Sequence, residues 1–117
     1  YYALNKLAEG ASSKLSYIEV TNAQHFDTFI GLPTILPGYD SRYIPLHVYL
    51  NRALDAVYEH LKNDKALPAS QVVRTIARGG KPGAAPAITS GNLPPILPIP
   101  ASSNQISFSA NTITIPD

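Results

Sequence analysis

Apolar and polar positions change their period several times along this chain, and each change predicts an element. In "YYALNKLAEGAS" the residues Tyr1, Leu4, Leu7 and Ala8 recur at helical spacing, and Gly10 follows where a helix would end. The period then drops to two: Leu15, Tyr17 and Glu19 point to one side, Ser16, Ile18 and Val20 to the other. Tyr, Ile and Val favour strands, so residues 15–20 are predicted to form a strand covered on both faces. A helix followed by such a strand is half of an α/β repeat. The polar turn Thr21-Asn22-Ala23-Gln24 then carries His25 just past the carboxyl end of the strand. In open α/β sheets that edge is where ligand sites form.

"FDTFIGLPTILPGYDSRY" is interrupted by Gly31, Pro33, Pro37 and Gly38 and predicts a loop. Its Phe26, Phe29, Ile30, Leu32, Ile35 and Leu36 are too apolar for free solvation, so they are expected to wall a pocket or pack on a neighbour. The clearest periodic element is "SRYIPLHVYLNRALDAVYEHLKNDK", with Pro45 suited to a first helical turn and "NDK" ending the helix. Leu46, Leu50, Leu54, Val57 and Leu61 follow one another at helical intervals and form one apolar stripe, expected to face a core. Arg52, Asp55, Glu59 and Lys62 fall mainly outside it. One short helix and one strand offer that stripe little to pack against, thin support for an independent core. Farther on, Gln71 to Ile76 predicts a short strand before Gly79-Gly80. "NQISFSANTITIPD" predicts a hairpin turning at Ala110-Asn111, a unit that is marginal on its own. No internal repeat is visible.

Composition changes this picture in one place. The length of 117 residues and 44% apolar content suit one small domain, but charge is unevenly spread. From Gly79 onward only Lys81 and Asp117 are charged, while Pro82, Pro86, Pro94, Pro95, Pro98 and Pro100 crowd the same stretch. Such a tail is expected to be extended, or to lie against protein outside this sequence. Nine scattered basic residues and a net charge of +1 argue against nucleic acid as a partner. No apolar run approaches the roughly 20 residues of a membrane span. The chain opens on Tyr1 without the basic-then-apolar plan of a signal peptide, and is expected to be a fragment or a processed piece. The absence of Cys excludes a disulfide, a thiolate nucleophile and a Cys-based zinc site.

His25 is the main candidate for chemistry. Three readings are open: a histidine satisfied by nearby backbone, a metal ligand, or a general base that titrates near neutrality. A base in a triad needs a nucleophile and an orienting carboxylate. The chain has no G-x-S-x-G elbow; Ser12, Ser13 and Ser16 lack a glycine frame, and "TSGN" reads as an ordinary turn. A metal site would draw on His25, Asp27, His47 and His60, but there is no H-E-x-x-H and no His pair at i, i+4. His47 and His60 lie about 20 Å apart along one helix, so both cannot hold one ion, and no metal is expected. Asp40 is expected to cap a helix or turn, or to pair with Arg42. "NLPPILPIP" lacks the flanking Arg or Lys of a polyproline ligand and reads as a strap over a body surface.

The blocks "YIEVTNAQHFDTF", "PGYDSRYIPLHVYLNRALDAVYEHLK", "LPASQVVRTIARGG" and "NLPPI" together resemble the carboxyl-terminal part of the 3-hydroxybutyrate oligomer hydrolases, bacterial esterases of α/β-hydrolase type. The resemblance covers roughly residues 1–96 and leaves out the hairpin from Asn104 onward. It implies an α/β class: residues 1–78 end an α/β-hydrolase core, residues 79–117 form a Pro-rich tail with a terminal hairpin, and neither is an independent domain. In that fold the triad runs Ser, then Asp or Glu, then His on the loop after the last strand, a position His25 matches. The resemblance then implies hydrolysis of short 3-hydroxybutyrate esters without a cofactor. Ser and the acid would lie in a larger upstream part of the same enzyme, its partner. Phe26, Phe29 and Ile30 would line the acyl or alcohol pocket. Cleavage of other small esters, or a non-catalytic docking role for the stripe and strap, are the rival expectations. A secreted or periplasmic location is expected from the polar, Cys-free tail, with the cytoplasm as the alternative.

Overall fold

Both units of the computed structural model, which describes residues 1–117, are discontinuous in sequence. One contains Tyr1–Glu19, Ala56–Val72 and Leu97–Asp117; the other contains Val20–Asp55 and Val73–Ile96. Each draws on both sides of the expected division at residue 78, so the Pro-rich tail belongs partly to each unit and is not a separate piece.

In the first unit, helix α1 (Tyr2–Glu9) forms as its periodicity predicts and ends at Gly10, whose φ of 53° suits glycine. None of its side chains is buried, although the Tyr2 ring lies 5.8 Å from that of Tyr17. Strand β1 (Ile18–Val20) is shorter than the predicted 15–20. Side-chain bonds replace the ladder over its first half: Ser16 Oγ donates to the Pro68 carbonyl, and Ser13 Oγ accepts from the Leu15 N–H. β1 pairs with β4 (Gln71–Val73), the Gln71 N–H donating to the Tyr17 carbonyl at 2.9 Å.

Gln71 holds this unit together through its side chain. It is only 2% exposed, and its amide is fully used. Nε2 donates to the carbonyls of Ala69 (2.8 Å) and Leu97 (2.7 Å), while Oε1 accepts from the Leu97 N–H (3.0 Å). Val72 and Ile106 are buried beside it in sequence and ladder, the Ile106 N–H bonding the Ser70 carbonyl. The hairpin forms as predicted from strands labelled, in chain order, β5 (Ser107–Ser109) and β6 (Thr112–Thr114), with Phe108 opposite Ile113. Ala110 and Asn111 both have positive φ (47° and 62°), the twist a two-residue hairpin requires.

In the second unit, β2 (Ala23–Gln24) runs parallel to β3 (Ile44–Pro45), with Ala23 opposite Ile44 and Gln24 opposite Pro45. Ile44 is fully buried, and Ile30, Tyr49 and Val73 complete the apolar core of the unit. The segment predicted as loop contains a 3-10 turn at Asp27–Gly31 and a single-turn helix, α2 (Tyr39–Arg42).

Helix α3 (His47–Asn63) departs from expectation in two ways. Pro45 is not in its first turn: the Ile44 N–H bonds the Asn22 carbonyl at 2.9 Å, which holds the chain extended through β3, and the helix begins two residues later. Leu46 precedes the helix and is half-buried, but from Leu50 onward the apolar stripe faces away from the core. Leu50, Leu54, Val57 and Leu61 are 58, 57, 44 and 78% exposed, and Tyr49 is the buried residue of the helix. Facing inward, Tyr49 Oη donates to the Pro94 carbonyl, and Arg52 donates to those of Leu93 and Pro94 while lying 5.0 Å from the Tyr49 ring. The reason is chemical. A Pro-rich strap offers carbonyls that its own chain cannot satisfy, so polar-tipped side chains suit that face better than leucine. The helix ends at Asn63 as "NDK" predicts, with Asp64 at positive φ and His60 Nδ1 donating to the Lys65 carbonyl. No helix is long and apolar enough to cross a membrane.

Candidate functional site

The turn that delivers His25 is fixed by side chains of the segment after β4. The Thr21 N–H donates to the Val73 carbonyl at 3.1 Å. Thr75 then bonds Thr21 twice, its N–H to Oγ1 (2.9 Å) and its own Oγ1 to the Thr21 carbonyl. Asn22, at φ 51°, sends Nδ2 to the Thr75 carbonyl at 2.9 Å. Asn tolerates this left-handed conformation well, and its side chain satisfies a carbonyl that a longer ladder would have used. That is why β4 stops at Val73 instead of continuing to Ile76. Thr75 and Asn22 thus position the candidate base, and nothing in their local spacing marks them for it.

His25 follows β2 directly. Its side chain is exposed, its ring lies 3.8 Å from that of Phe26, and neither ring nitrogen has a hydrogen-bond partner. Phe26 in turn meets Phe29 edge-on at 6.2 Å. These three rings form one exposed-to-half-buried cluster, whereas Ile30 is 8% exposed and sits in the core beneath.

Two residues past His25, Asp27 makes a connection that sequence spacing does not show. Its Oδ2 accepts from the His47 N–H at 2.7 Å and from His47 Nδ1 at 2.9 Å. A carboxylate only accepts, so Nδ1 carries the proton and Nε2 points outward on a ring that is largely exposed. Asp27 therefore caps α3 from a distant segment, where the positive end of the helix favours its charge. Burial raises its pKa, but hydrogen bonds from the His47 N–H and ring, the His47 charge and the Leu46 N–H outweigh it. The net effect holds the carboxyl below its ordinary value.

Asp40 neither caps α2 nor pairs with Arg42. It lies inside α2, and its Oδ2 accepts from the N–H groups of Gly83 (2.9 Å) and Ala85 (3.4 Å), pinning that loop. Oδ1 is buried without a partner. Arg42 instead donates Nε to the Gly38 carbonyl. Residues two apart on a helix do not face each other, so Asp40 turns to the N–H groups of the small-residue loop while Arg42 turns back to Gly38. "TSGN" is the turn expected, closed by Asn92 Oδ1 accepting from Thr89. No group of three or more His, Cys, Asp or Glu side chains is arranged to hold a metal ion.

A family model described as 3HB-oligomer hydrolase matches residues 1–117, the terminal hairpin included. Among curated relatives, a D-(-)-3-hydroxybutyrate oligomer hydrolase of Paracidovorax citrulli is 66% identical over 117 residues, all of this chain and 16% of the relative. One of Cupriavidus necator is 58% identical over 118 residues, again 16% of its length. One of Azoarcus sp. is 55% identical over 117 residues, or 17%. The chain thus spans about one sixth of the length of the relatives it matches. No solved structure matches it.

Proposed function

The chain belongs to the 3HB-oligomer hydrolase family, and on that premise we propose that it supplies the histidine of a serine esterase acting on 3-hydroxybutyrate oligomers. It does so as one part of a longer enzyme of α/β-hydrolase type. The observation that carries this reading is His25 itself: exposed, directly after a strand, with both ring nitrogens uncommitted while the backbone on either side is fixed. A base whose nucleophile and orienting acid come from another part of the polypeptide needs this combination.

The chemistry follows from those two nitrogens. One takes the proton of a serine hydroxyl as its oxygen attacks the ester carbonyl carbon; the other donates to a carboxylate that stabilises the imidazolium. Collapse of the tetrahedral intermediate breaks the bond to the alcohol oxygen, which leaves with the proton from His25. Water, deprotonated by the same nitrogen, attacks the acyl-enzyme and releases the hydroxy acid and the free serine. Phe26 and Phe29 offer an apolar wall for the short acyl chain, with Ile30 supporting them from the core. The charge-poor, Cys-free tail supports a secreted or periplasmic setting.

In the full-length enzyme, His25→Ala is expected to lower kcat by about 10^4 or more with folding retained. Turnover near wild type overturns the assignment. The Asp27–His47 contact favours a second reading, in which Asp27 orients His47 as the base through Nδ1. The same assay separates the two. His47→Ala is expected to retain activity within about tenfold if His25 is the base, and to lose about as much as His25→Ala was expected to if His47 is.

A further inference from the structure

The outer face of α3 is apolar at positions 50, 54, 57 and 61, successive places on one helical ridge, and all four side chains are open to solvent. The ridge is a property of one continuous helix and follows from its own repeat. Polar residues of both signs flank it, with Asp55 and Lys62 exposed alongside. A soluble chain gains nothing by gathering leucines into such a line and leaving it wet. We infer that in the full-length enzyme this ridge is docked in an apolar groove of the same polypeptide, formed by the part outside the region matched here. The inference rests on reading the chain as one portion of a longer enzyme.

Three considerations select that occupant. About five sixths of the length of the relatives lies outside the stretch this chain matches, so the covering surface is available within one molecule. The area is also too small for a stable association of copies. At 44–78% exposure these four aliphatic side chains amount to roughly 300–450 Å² of apolar surface, against about 800 Å² per partner in a standard interface. An intramolecular contact avoids the translational cost that sets that requirement. A membrane surface is disfavoured because the flank carries Asp55 as well as Lys62, whereas a helix that lies on anionic lipid has a predominantly basic polar face.

The test is thiol labelling of the native full-length enzyme carrying Leu54→Cys, compared with Asp55→Cys one position around the helix. Peptide mapping reads the modification rate at each site. Leu54→Cys is expected to react at least about tenfold more slowly than Asp55→Cys in the native protein, with equal rates in urea. The protection should persist through about a hundredfold dilution. Equal native rates overturn the inference, and so does protection that disappears on dilution, which would identify a second copy. Should Leu54→Cys fail to fold, Val57→Cys is a nearly isosteric replacement on the same ridge and is read in the same way. Labelling does not depend on turnover. A full-length enzyme in which His25→Ala remains active but Leu54→Cys is protected would therefore remove the catalytic assignment and leave the docking surface standing.

Discussion

Between Thr21 and Asp27 the chain is held by polar contacts: Thr75 and Asn22 lock the turn, and Asp27 locks the exit by capping α3. Along the outer face of α3, by contrast, Leu50, Leu54, Val57 and Leu61 have no surface against them. A hydrogen bond is completed by one well-placed atom, and a short stretch of chain supplies such atoms readily. An apolar ridge is completed only by area. The first region is therefore finished within this sequence, while the second requires more protein. The contrast also suits the chemistry proposed, because the histidine loop arrives fixed but with its imidazole free.

The comparison breaks most visibly at the ridge. In the full-length enzyme Leu54→Asp should destabilise by about 3 kcal/mol or more, since a carboxylate would be forced into an apolar groove without a partner. Urea midpoints, or loss of soluble protein, would report this. Were the ridge solvated there as it is here, the change would fall within about 0.5 kcal/mol, as for ordinary surface substitutions. At the polar region Thr75→Val keeps the shape and removes the hydroxyl that bonds the Thr21 carbonyl. That leaves a part-buried acceptor unpaired at a cost of about 1–3 kcal/mol. Turnover per folded molecule should fall as well, because the turn carrying His25 loosens. A stability loss without any change in kcat would mean that the turn does not position the base.

The places where sequence was a good guide are those in which the deciding contact is local. Gly10 ends α1, Asn63-Asp64 ends α3, and Ala110-Asn111 turns the hairpin, each through backbone preferences of the residues present. His25 does stand just past a strand, but that strand is β2 (Ala23–Gln24), formed within the segment expected to be a polar turn. The α3 stripe shows the limit of periodicity: it identifies which side of a helix is apolar, and burial depends on which surfaces exist nearby. Here the nearest surface was a strap of unsatisfied carbonyls, which Tyr49 and Arg52 serve better. Pro45 and the end of β4 depart from the local pattern for a related reason. Ile44 is tied to Asn22, and Thr75 to Thr21, by bonds that span 22 and 54 positions and leave no local signature. The strands of this chain pair only locally, as three separate two-stranded sheets, and no pattern of apolar positions in the sequence indicates that arrangement.

The smallest effect is expected at Asp27, and it sharpens the comparison because it separates shape from charge. Asp27→Ala removes the cap from α3 and should cost about 1 kcal/mol. Asp27→Asn retains an oxygen that can accept from the His47 N–H, so it should cost less at neutral pH. The two variants should also differ from wild type in their response to acid. The folded-state pKa of Asp27 lies below its ordinary value, so its contribution is fully present above the unfolded carboxylate range, near 4. It is lost as pH falls through the depressed folded value. Wild-type stability should therefore drop below about pH 4 by an amount that Asp27→Asn lacks, measured as the difference between urea midpoints near pH 6 and pH 3. Identical acid profiles would mean that the carboxylate caps α3 by shape alone. The polar lock on the His25 loop would then be independent of charge, and the loop would keep its geometry across the acidic range.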